Sequence, residues 1–226
     1  MFYRLREGLS HCPVDGSLIF LDLDEDRYFR LSNRLEKMFL AYLSSDGQPE
    51  VDVSDLVRQH ILVQAIGAEP TSYAAVIASP SFSAIEHKSP APTFDALTSL
   101  EVLATVCSTQ LQLRTRHLNH MIAKLIAYRQ HRTAHIPFAP NGPHAELLIK
   151  SAGAFSDARR YVPIDTSCLL DSVAMVKFLA RRRLSADLIF GVTHNPFAAH
   201  CWVQAGDWVL NDTVGNVTAH TPIRKV

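Results

Sequence analysis

The 226-residue chain lacks several features that mark whole classes of protein. No uninterrupted apolar run reaches the ~18 residues that a membrane-spanning helix needs, so no membrane partner is expected. There is no glycine-rich phosphate loop, so any ATP chemistry would belong to another chain. The four cysteines are few and irregularly spaced, which argues against a disulfide scaffold. We therefore expect a globular protein with free thiols and no bound cofactor.

The formal net charge is zero, but the two halves of the chain differ in charge. Residues 1–90 hold 8 Lys/Arg against 13 Asp/Glu, a net charge of −5, and residues 91–226 carry the balancing +5. This asymmetry indicates two domains. The acidic half is poorly suited to bind phosphates, so no nucleic-acid partner is expected.

The composition and the first residues predict where the protein works. Hydrophobic residues make up 47% and charged residues 19%, which is ordinary for a protein that buries a core. The first seven residues carry three charges, where a signal peptide needs an apolar stretch. We therefore expect a cytoplasmic protein.

Short strands followed by helices are predicted over residues 1–68. Residues 17–31 combine strand-forming residues with an acidic turn, which predicts two paired strands. A helix begins near Asn33, with Glu36 at a capping-box position, and a second helix is expected around residues 53–60. The pattern fits a small winged-helix-like module.

Residues 69–92 are rich in Pro, Ser, Ala and Thr without periodicity, which is typical of a linker. The second predicted domain spans residues 93–226 and opens with helices. The expected buried stripe of the first of these helices consists of Leu97, Leu100, Leu103, Val106 and Leu111. Residues 166–180 form the strongest predicted helix, with apolar residues on nearly every side, so this helix should be buried. Three strands are expected at residues 188–193, 200–204 and 208–211.

Three side chains in this second part have the types and the spacing of a cysteine-based catalytic triad. Cys168 lies where a loop enters the buried helix, and the N–H groups and dipole of a helix start favour a thiolate. His200 begins a strand, and the next strand ends at Asp212. If the two strands pair as a hairpin, Asp212 returns beside His200 and can orient its imidazole.

Other interpretations of the same residues remain open at this point. A free cysteine is more often a small buried hydrophobe, and Cys12, Cys107 and Cys201 are placed in that class. Strand alternation sends Cys201 to the face opposite His200, so it is expected to lie away from the site. A histidine before a tryptophan is often structural, and Asp212 could be a turn residue.

The motifs of the last 60 residues resemble a known family. Ser167-Cys-Leu169 at a helix start, Gly191-Val192 on a strand, His200-Cys-Trp-Val-Gln204 and Asn211-Asp212 are together similar to the transglutaminase-like leader peptidase of lasso-peptide biosynthesis. The module before them resembles the leader-recognition domain fused to that peptidase in many bacterial lasso-peptide B proteins. This sequence departs from the family pattern at Cys201 and Gln204, where Ala and Glu are more frequent.

The resemblance implies an α+β protein with a winged-helix-like leader-recognition domain and a papain/transglutaminase-like cysteine peptidase domain. By position, Cys168 matches the nucleophile, His200 the general base and later acid, and Asp212 the residue that orients the histidine. The implied reaction is hydrolysis of the bond between leader and core in a lasso-peptide precursor. The implied partners are that precursor and an asparagine-synthetase-like, ATP-dependent macrolactam synthetase.

A leader could add as a strand to an exposed sheet edge, with its side chains in an apolar groove beside a helix. The residues proposed to contact it are Tyr28, Phe29 and Arg30 on the edge strand and Val53, Leu56, Val57 and Ile61 near the second helix. The last four could equally fill a small core.

Alternative functions are an acyl transferase that uses the same triad and a non-catalytic module that presents the leader. DNA binding by a winged helix is disfavoured by the acidic charge of this half. The histidine pairs His117/His120 and His131/His135 have helical spacing but no acidic or cysteine partner, so no metal site is predicted.

Overall fold

The structure is a computed structural model that describes residues 2–44, 52–65, 77–87, 95–133 and 142–226. The chain divides into two compact units, Met1–Ala75 and Val76–Val226. None of the helices in the described ranges combines the length and the hydropathy that crossing a bilayer requires.

The N-terminal unit consists of short strands and two helices. In chain order they are β1 (Phe2–Leu5), β2 (Leu9–Val14), β3 (Ser17–Asp22), β4 (Arg27–Phe29), α1 (Asn33–Ser44), α2 (Ser54–Arg58) and β5 (Leu62–Ala65). Strands β2, β3 and β4 form an antiparallel sheet in that order, and β1 pairs with β5. The core lies between β3 and the two helices, where Phe20, Phe39 and Leu56 are fully buried. The predicted strand pair and the start of the first helix are confirmed.

Glu36 links helix α1 to the sheet. Its carboxylate accepts a hydrogen bond from the Leu18 N–H at 2.9 Å, so the residue at the predicted capping-box position connects α1 to the start of β3. The other helix, α2, begins at Ser54, and the residue at its N-cap position, Val53, makes no side-chain hydrogen bond to it.

Residues 77–87 lie in the C-terminal unit, although their composition is that of a linker. Strand β6 (Phe82–Ser83) joins the sheet of this unit in parallel with a later strand, through the pairs Phe82–Trp208 and Ser83–Val209. Ser83 is fully buried. The linker assignment therefore does not hold for these residues. The sequence did not reveal the strand, because two residues are too few to show a periodic pattern.

The rest of the C-terminal unit is a helical layer packed on an antiparallel sheet. Its elements are α3 (Ala96–Thr115), α4 (Leu118–Arg132), α5 (Pro143–Arg159), α6 (Cys168–Arg181), β7 (Asp187–Thr193), β8 (Ala198–Ala205), β9 (Trp208–Val209), α7 (Val214–Thr218) and β10 (Thr221–Lys225). The strand order is β10-β7-β8-β9-β6. Helix α6 contacts the other long helices and strand β8, so it is the buried centre that its all-round apolar sequence predicts. Helix α7 and strand β10 have no counterpart in the sequence prediction.

The buried face of α3 differs from the predicted leucine stripe. Val106 of the predicted stripe is fully buried, but Leu97 is 78% exposed and Leu111 is 64% exposed, and Thr105 and Thr109 are fully buried instead. The buried threonines are hydrogen-bonded to helix α6, since Arg181 donates to the Thr105 hydroxyl at 2.8 Å and Lys177 donates to that of Thr109 at 3.1 Å. The inward face of α3 therefore combines the buried side chains of Val102 and Val106 with polar cross-links to α6.

Candidate active site

Cys168 is the first residue of helix α6 and is exposed. Ser167 caps the helix, with its hydroxyl accepting from the Leu170 N–H at 3.3 Å. The thiol therefore stands beside free backbone N–H groups at the positive end of a helix dipole, which stabilises a thiolate.

The loop that leads into this helix is held by a buried arginine. Arg159 donates to the Asp171 carboxylate at 2.6 Å and to the carbonyl oxygens of Ile164 and Asp165 at 2.9 and 3.2 Å. Burial raises the pKa of Asp171 in spite of this partner. The arginine links the first turn of α6 to its entrance, and so restricts the position of Cys168. Sequence reasoning did not find this pair.

His200 lies on strand β8 opposite Gly191 of β7, and its ring Nε2 is 2.5 Å from Asp212 Oδ2. Both side chains are less than one fifth exposed. With Nε2 engaged by the carboxylate, Nδ1 is the ring nitrogen left to face the sulfur of Cys168. The structure thus brings together the three residues that the sequence singled out.

Asp212 lies after strand β9 and is not the N-cap residue of a helix. Burial raises its pKa, but hydrogen bonds from His200, the Thr213 N–H and Asn216 outweigh burial, and the pKa of Asp212 lies below its usual value. It therefore carries a negative charge beside the imidazole at neutral pH.

The sulfur and the imidazole form a mutually stabilised ion pair. Hydrogen bonds from Cys201 and then from His200 lower the pKa of Cys168 to about 4. The hydrogen bonds to Asp212 and then to Cys168 raise the pKa of His200 to about 9. Between these values the pair is a thiolate and an imidazolium, which is the reactive form of a cysteine nucleophile.

Comparison with known protein families finds a match to most of the C-terminal unit. The model of the transglutaminase-like superfamily matches residues 109–225, just over half of the chain. The chain belongs to the transglutaminase-like superfamily. The matched range contains Cys168, His200 and Asp212 together with helix α6 and four of the five strands of the sheet; β6 lies outside it.

The microcin J25-processing protein McjB of Escherichia coli is a similar curated protein. It is 40% identical to this chain over 47 residues, which are 21% of this chain and 23% of the relative. The chain thus matches less than a quarter of the length of that relative. No solved structure matches the chain.

Cys201 contacts Cys168 in the candidate site, so the expectation that it lies away from the site is wrong. Its thiol and its backbone N–H both form hydrogen bonds with the sulfur of Cys168. That contact and burial raise the pKa of the Cys201 thiol well above its ordinary value, so the thiol stays protonated and donates. Alternation does separate the side chains of His200 and Cys201, but the Cys168 sulfur reaches both.

An open strand edge explains how helix α6 comes so close to β8. Strand β9 pairs only with Gln204 and Ala205, so the preceding part of this edge of β8 has no strand partner within the described ranges. Side chains fill the gap. Ser172 donates to the Cys201 carbonyl at 3.2 Å, and Asn211 accepts from the Val203 N–H at 2.7 Å.

Asn211 joins the two elements at this edge, because its amide also donates to the Ser172 hydroxyl at 2.8 Å. Ser172 lies four residues after Cys168, and hence on the same face of α6. The hydrogen bonds of Asn211 and Ser172 therefore fix the position of Cys168 relative to the strand that carries His200.

Two further residues hold Asp212 in place. Asn216 of α7 donates to Asp212 Oδ2 at 2.9 Å, and Ser83 of β6 donates to the Asp212 backbone carbonyl at 2.6 Å. Neither was identified from the sequence. Ser83 lies 129 residues before Asp212, in a segment with linker composition, and Asn216 lies in a five-residue helix without a pattern of its own.

Trp202 packs against the His200 ring, and Gln204 and Gly191 both contact or adjoin this tryptophan. The His200 ring packs on Trp202 at a centroid distance of 6.1 Å, and a Cβ at Gly191 would lie 2.6 Å from the Trp202 ring. Gln204 accepts from the Trp202 indole at 2.9 Å and donates to the Ala78 and Gly206 carbonyls. An ionised glutamate could accept the indole bond but not make the other two.

The residues proposed to contact a leader divide into two groups. Tyr28 and Phe29 lie half-buried on β4, the edge strand of the N-terminal sheet, and Arg30 follows them exposed. The second group belongs to the core: Val53, Leu56 and Ile61 are 7%, 0% and 5% exposed, and Val57 packs half-buried against them. The alternative of a small core therefore describes these four residues.

The first of the two histidine pairs lies at the start of helix α4, with His117 at the N-cap position and His120 in the first turn. Among the described residues, no three His, Cys, Asp or Glu side chains are grouped as metal ligands. His135 of the second pair lies outside the described residues.

The ion pair predicts an unusual pH dependence for alkylation of Cys168. Because its pKa is lowered to about 4, the thiolate persists throughout the neutral range. We expect the rate constant for iodoacetamide, followed by peptide mass spectrometry, to change less than about twofold between pH 6 and 8. Replacing His200 with Ala should lower the rate at pH 6 by at least about tenfold. A wild-type rate that rises about tenfold per pH unit, as for an ordinary thiol, would contradict the ion pair.

Proposed function

We propose that this protein is a leader peptidase that hydrolyses the leader–core bond of a lasso-peptide precursor, with Cys168 as nucleophile, His200 as base and acid, and Asp212 as the orienting carboxylate. The observation that carries the proposal is the imidazole held between the Asp212 carboxylate and the Cys168 thiolate at a helix start. The similarity to a protein that processes microcin J25 supports a peptide substrate.

The reaction follows from the positions of these groups. The Cys168 thiolate attacks the carbonyl carbon of the scissile peptide bond, and backbone N–H groups at the helix start, including that of Cys168, hold the oxyanion. The His200 imidazolium gives its proton to the departing amine of the core peptide. A water molecule, deprotonated by His200, then attacks the thioester; the carboxylic acid of the leader departs and the thiolate–imidazolium pair is restored.

The N-terminal amine that cleavage frees on the core peptide links this reaction to a partner enzyme. The family resemblance implies cleavage after a leader threonine, and a freed N-terminal amine is the nucleophile for an ATP-dependent synthetase that closes a macrolactam. No glycine-rich phosphate loop is present in the sequence, so the proposed ring closure falls to the partner.

We propose that residues 1–68 are a winged-helix-like domain that recognises the leader. Strand β4 has a strand partner on only one side, β3, within the described ranges. A cavity of about 700 Å³ adjoins it, lined by apolar Phe29, Leu31 and Leu35 and by arginines that include Arg27 and Arg30. A leader strand added to β4 could place alternate side chains in this cavity.

Incubating the purified protein with the precursor peptide encoded beside its gene tests the proposed function. Mass spectrometry should find a leader and a core whose masses together equal the precursor plus one water. A product that carries an acyl acceptor other than water would instead identify a transferase. If the precursor stays intact both with and without the partner synthetase, the peptidase proposal is wrong.

Leader recognition has its own test, in the Cys168→Ala protein, which cannot consume the peptide. A synthetic leader should bind with micromolar or better affinity in calorimetry, and Tyr28→Ala on the edge strand should weaken binding by about tenfold. Lys37→Ala, which changes an exposed side chain of α1, is the control and should leave binding unchanged. Equal affinities for all three proteins would remove β4 as the binding edge.

A further inference from the structure

A second cavity lies in the C-terminal unit between helices α3, α4 and α6, and has a volume of about 410 Å³. This volume is in the range of small-molecule sites. Four basic side chains line it: Arg116, Lys124, Lys177 and Arg181. Among the described residues that line it, none carries a carboxylate. The cavity therefore gathers positive charge without an internal counter-charge.

The cations of this cavity have mostly neutral partners. Lys177 is half-buried and donates to the Thr109 hydroxyl at 3.1 Å and to the Gln112 side-chain oxygen at 2.8 Å. Within the part of the chain that the structure describes, Arg116 and Lys124 have no ion-pair partner, and Arg181 reaches Glu101 only at 3.7 Å. Burial and then the positive charges of Arg181 and Arg116 lower the pKa of Lys177 to about 8. Placing like charges around a half-buried lysine costs free energy that a bound anion would recover.

The floor of the cavity is apolar. Met121 and Leu125 of α4 are 2% exposed each, and the ring of Tyr128 lies half-buried one turn further along. A bare inorganic ion would leave this surface without a contact. An anion attached to an apolar or planar body would use both parts of the cavity.

We propose that this cavity binds a small organic anion with two or more negative charges on one end and an apolar or planar group on the other. Phosphate and carboxylate groups both supply the required oxygens, and arginine and lysine bind either. The cavity is separate from the candidate active site. Lys177 follows Cys168 by nine residues, which places it about 14 Å further along α6 and on the opposite face of the helix.

Calorimetry on the full-length protein tests the proposal with three probes: ATP, pyrophosphate and citrate, each against sodium chloride of matched ionic strength. We expect saturable binding of at least one multivalent probe, which salt does not reproduce. The strongest probe identifies the oxygen chemistry, phosphate for ATP or pyrophosphate and carboxylate for citrate. Tighter binding of ATP than of pyrophosphate would support the apolar contact, and equal affinities would remove it from the proposal.

The two matched variants each change one exposed lysine: Lys124 on helix α4 and Lys150 on helix α5, the next helix in the chain. Lys124→Ala should weaken binding by about tenfold, whereas Lys150→Ala makes the same change of charge outside the cavity and should not. Both should keep the wild-type alkylation rate of Cys168, which shows that they are folded. Absence of saturable binding up to millimolar probe, or equal weakening by the two variants, would overturn the proposal.

Discussion

Replacing Cys168 with alanine is expected to lower precursor cleavage by at least about a thousandfold. The substitution removes the sulfur that the structure places against the His200 imidazole at a helix start. The thiol of Cys201 remains, but it is buried and its pKa is raised well above its ordinary value, so it supplies no thiolate to form the thioester. Backbone N–H groups remain, but a triad without its nucleophile retains only a small part of its rate. Single-turnover cleavage followed by mass spectrometry measures the loss.

The chain offers a matched control for this experiment. Cys107 on helix α3 is also an exposed free thiol, so Cys107→Ala makes the same chemical change away from the imidazole. It should cleave at the wild-type rate. The Cys168→Ala protein should still bind the leader, because recognition is proposed to reside in residues 1–68. Cleavage by purified Cys168→Ala at an undiminished rate would refute the peptidase mechanism.

The second large effect is expected for Asp212→Asn, which keeps the shape of the side chain and removes its charge. The hydrogen bond to Asp212 is the largest cause that raises the pKa of His200 to about 9. Without the carboxylate this pKa should fall towards its ordinary value near ~6.5, and the imidazolium should be lost at a lower pH. We expect cleavage at pH 8 to fall by at least about a hundredfold, through loss of the imidazolium and of ring orientation.

The direction in which the pH profile moves distinguishes the proposed role of Asp212 from a general loss of structure. A raised pKa extends the protonated histidine upwards in pH, so removing Asp212 should move the alkaline limb of the kcat/KM profile to lower pH. The defect should therefore be larger at pH 8 than at pH 6. Asp15→Asn, at an exposed turn of the N-terminal unit, makes the same change and should leave the profile unaltered. An unchanged profile in Asp212→Asn would exclude the proposed role.

Local patterns predicted much of the C-terminal unit. The all-round apolar sequence of residues 166–180 predicted a buried helix, and strands were expected at residues 188–193 and 200–204, where β7 and β8 lie. The hairpin argument also anticipated the contact between His200 and Asp212. These patterns work because helix and strand periodicity depend on neighbours close in sequence.

Patterns of this kind failed where the decisive contacts are distant in sequence or lie at a strand edge. The predicted stripe of α3 is confirmed at Val106, but Leu97 and Leu111 are exposed, and the inward face instead includes Thr105 and Thr109, which are hydrogen-bonded to α6. Strand alternation predicted that Cys201 lies away from the site. Alternation distinguishes the two faces of a sheet, but it carries no information about a sulfur that lies at an open edge of the sheet.

The sequence by itself determined which chemistry is available: a cysteine at the start of a buried helix, a histidine on a strand and an aspartate after the next one. Only the tertiary structure decided the environment of that chemistry. Ser83, Ser172 and Asn216 support the site from three separate elements, and Cys201 donates to the sulfur. The physical reason is that pKa values and side-chain orientation depend on distances of a few ångströms between residues that can lie more than a hundred positions apart.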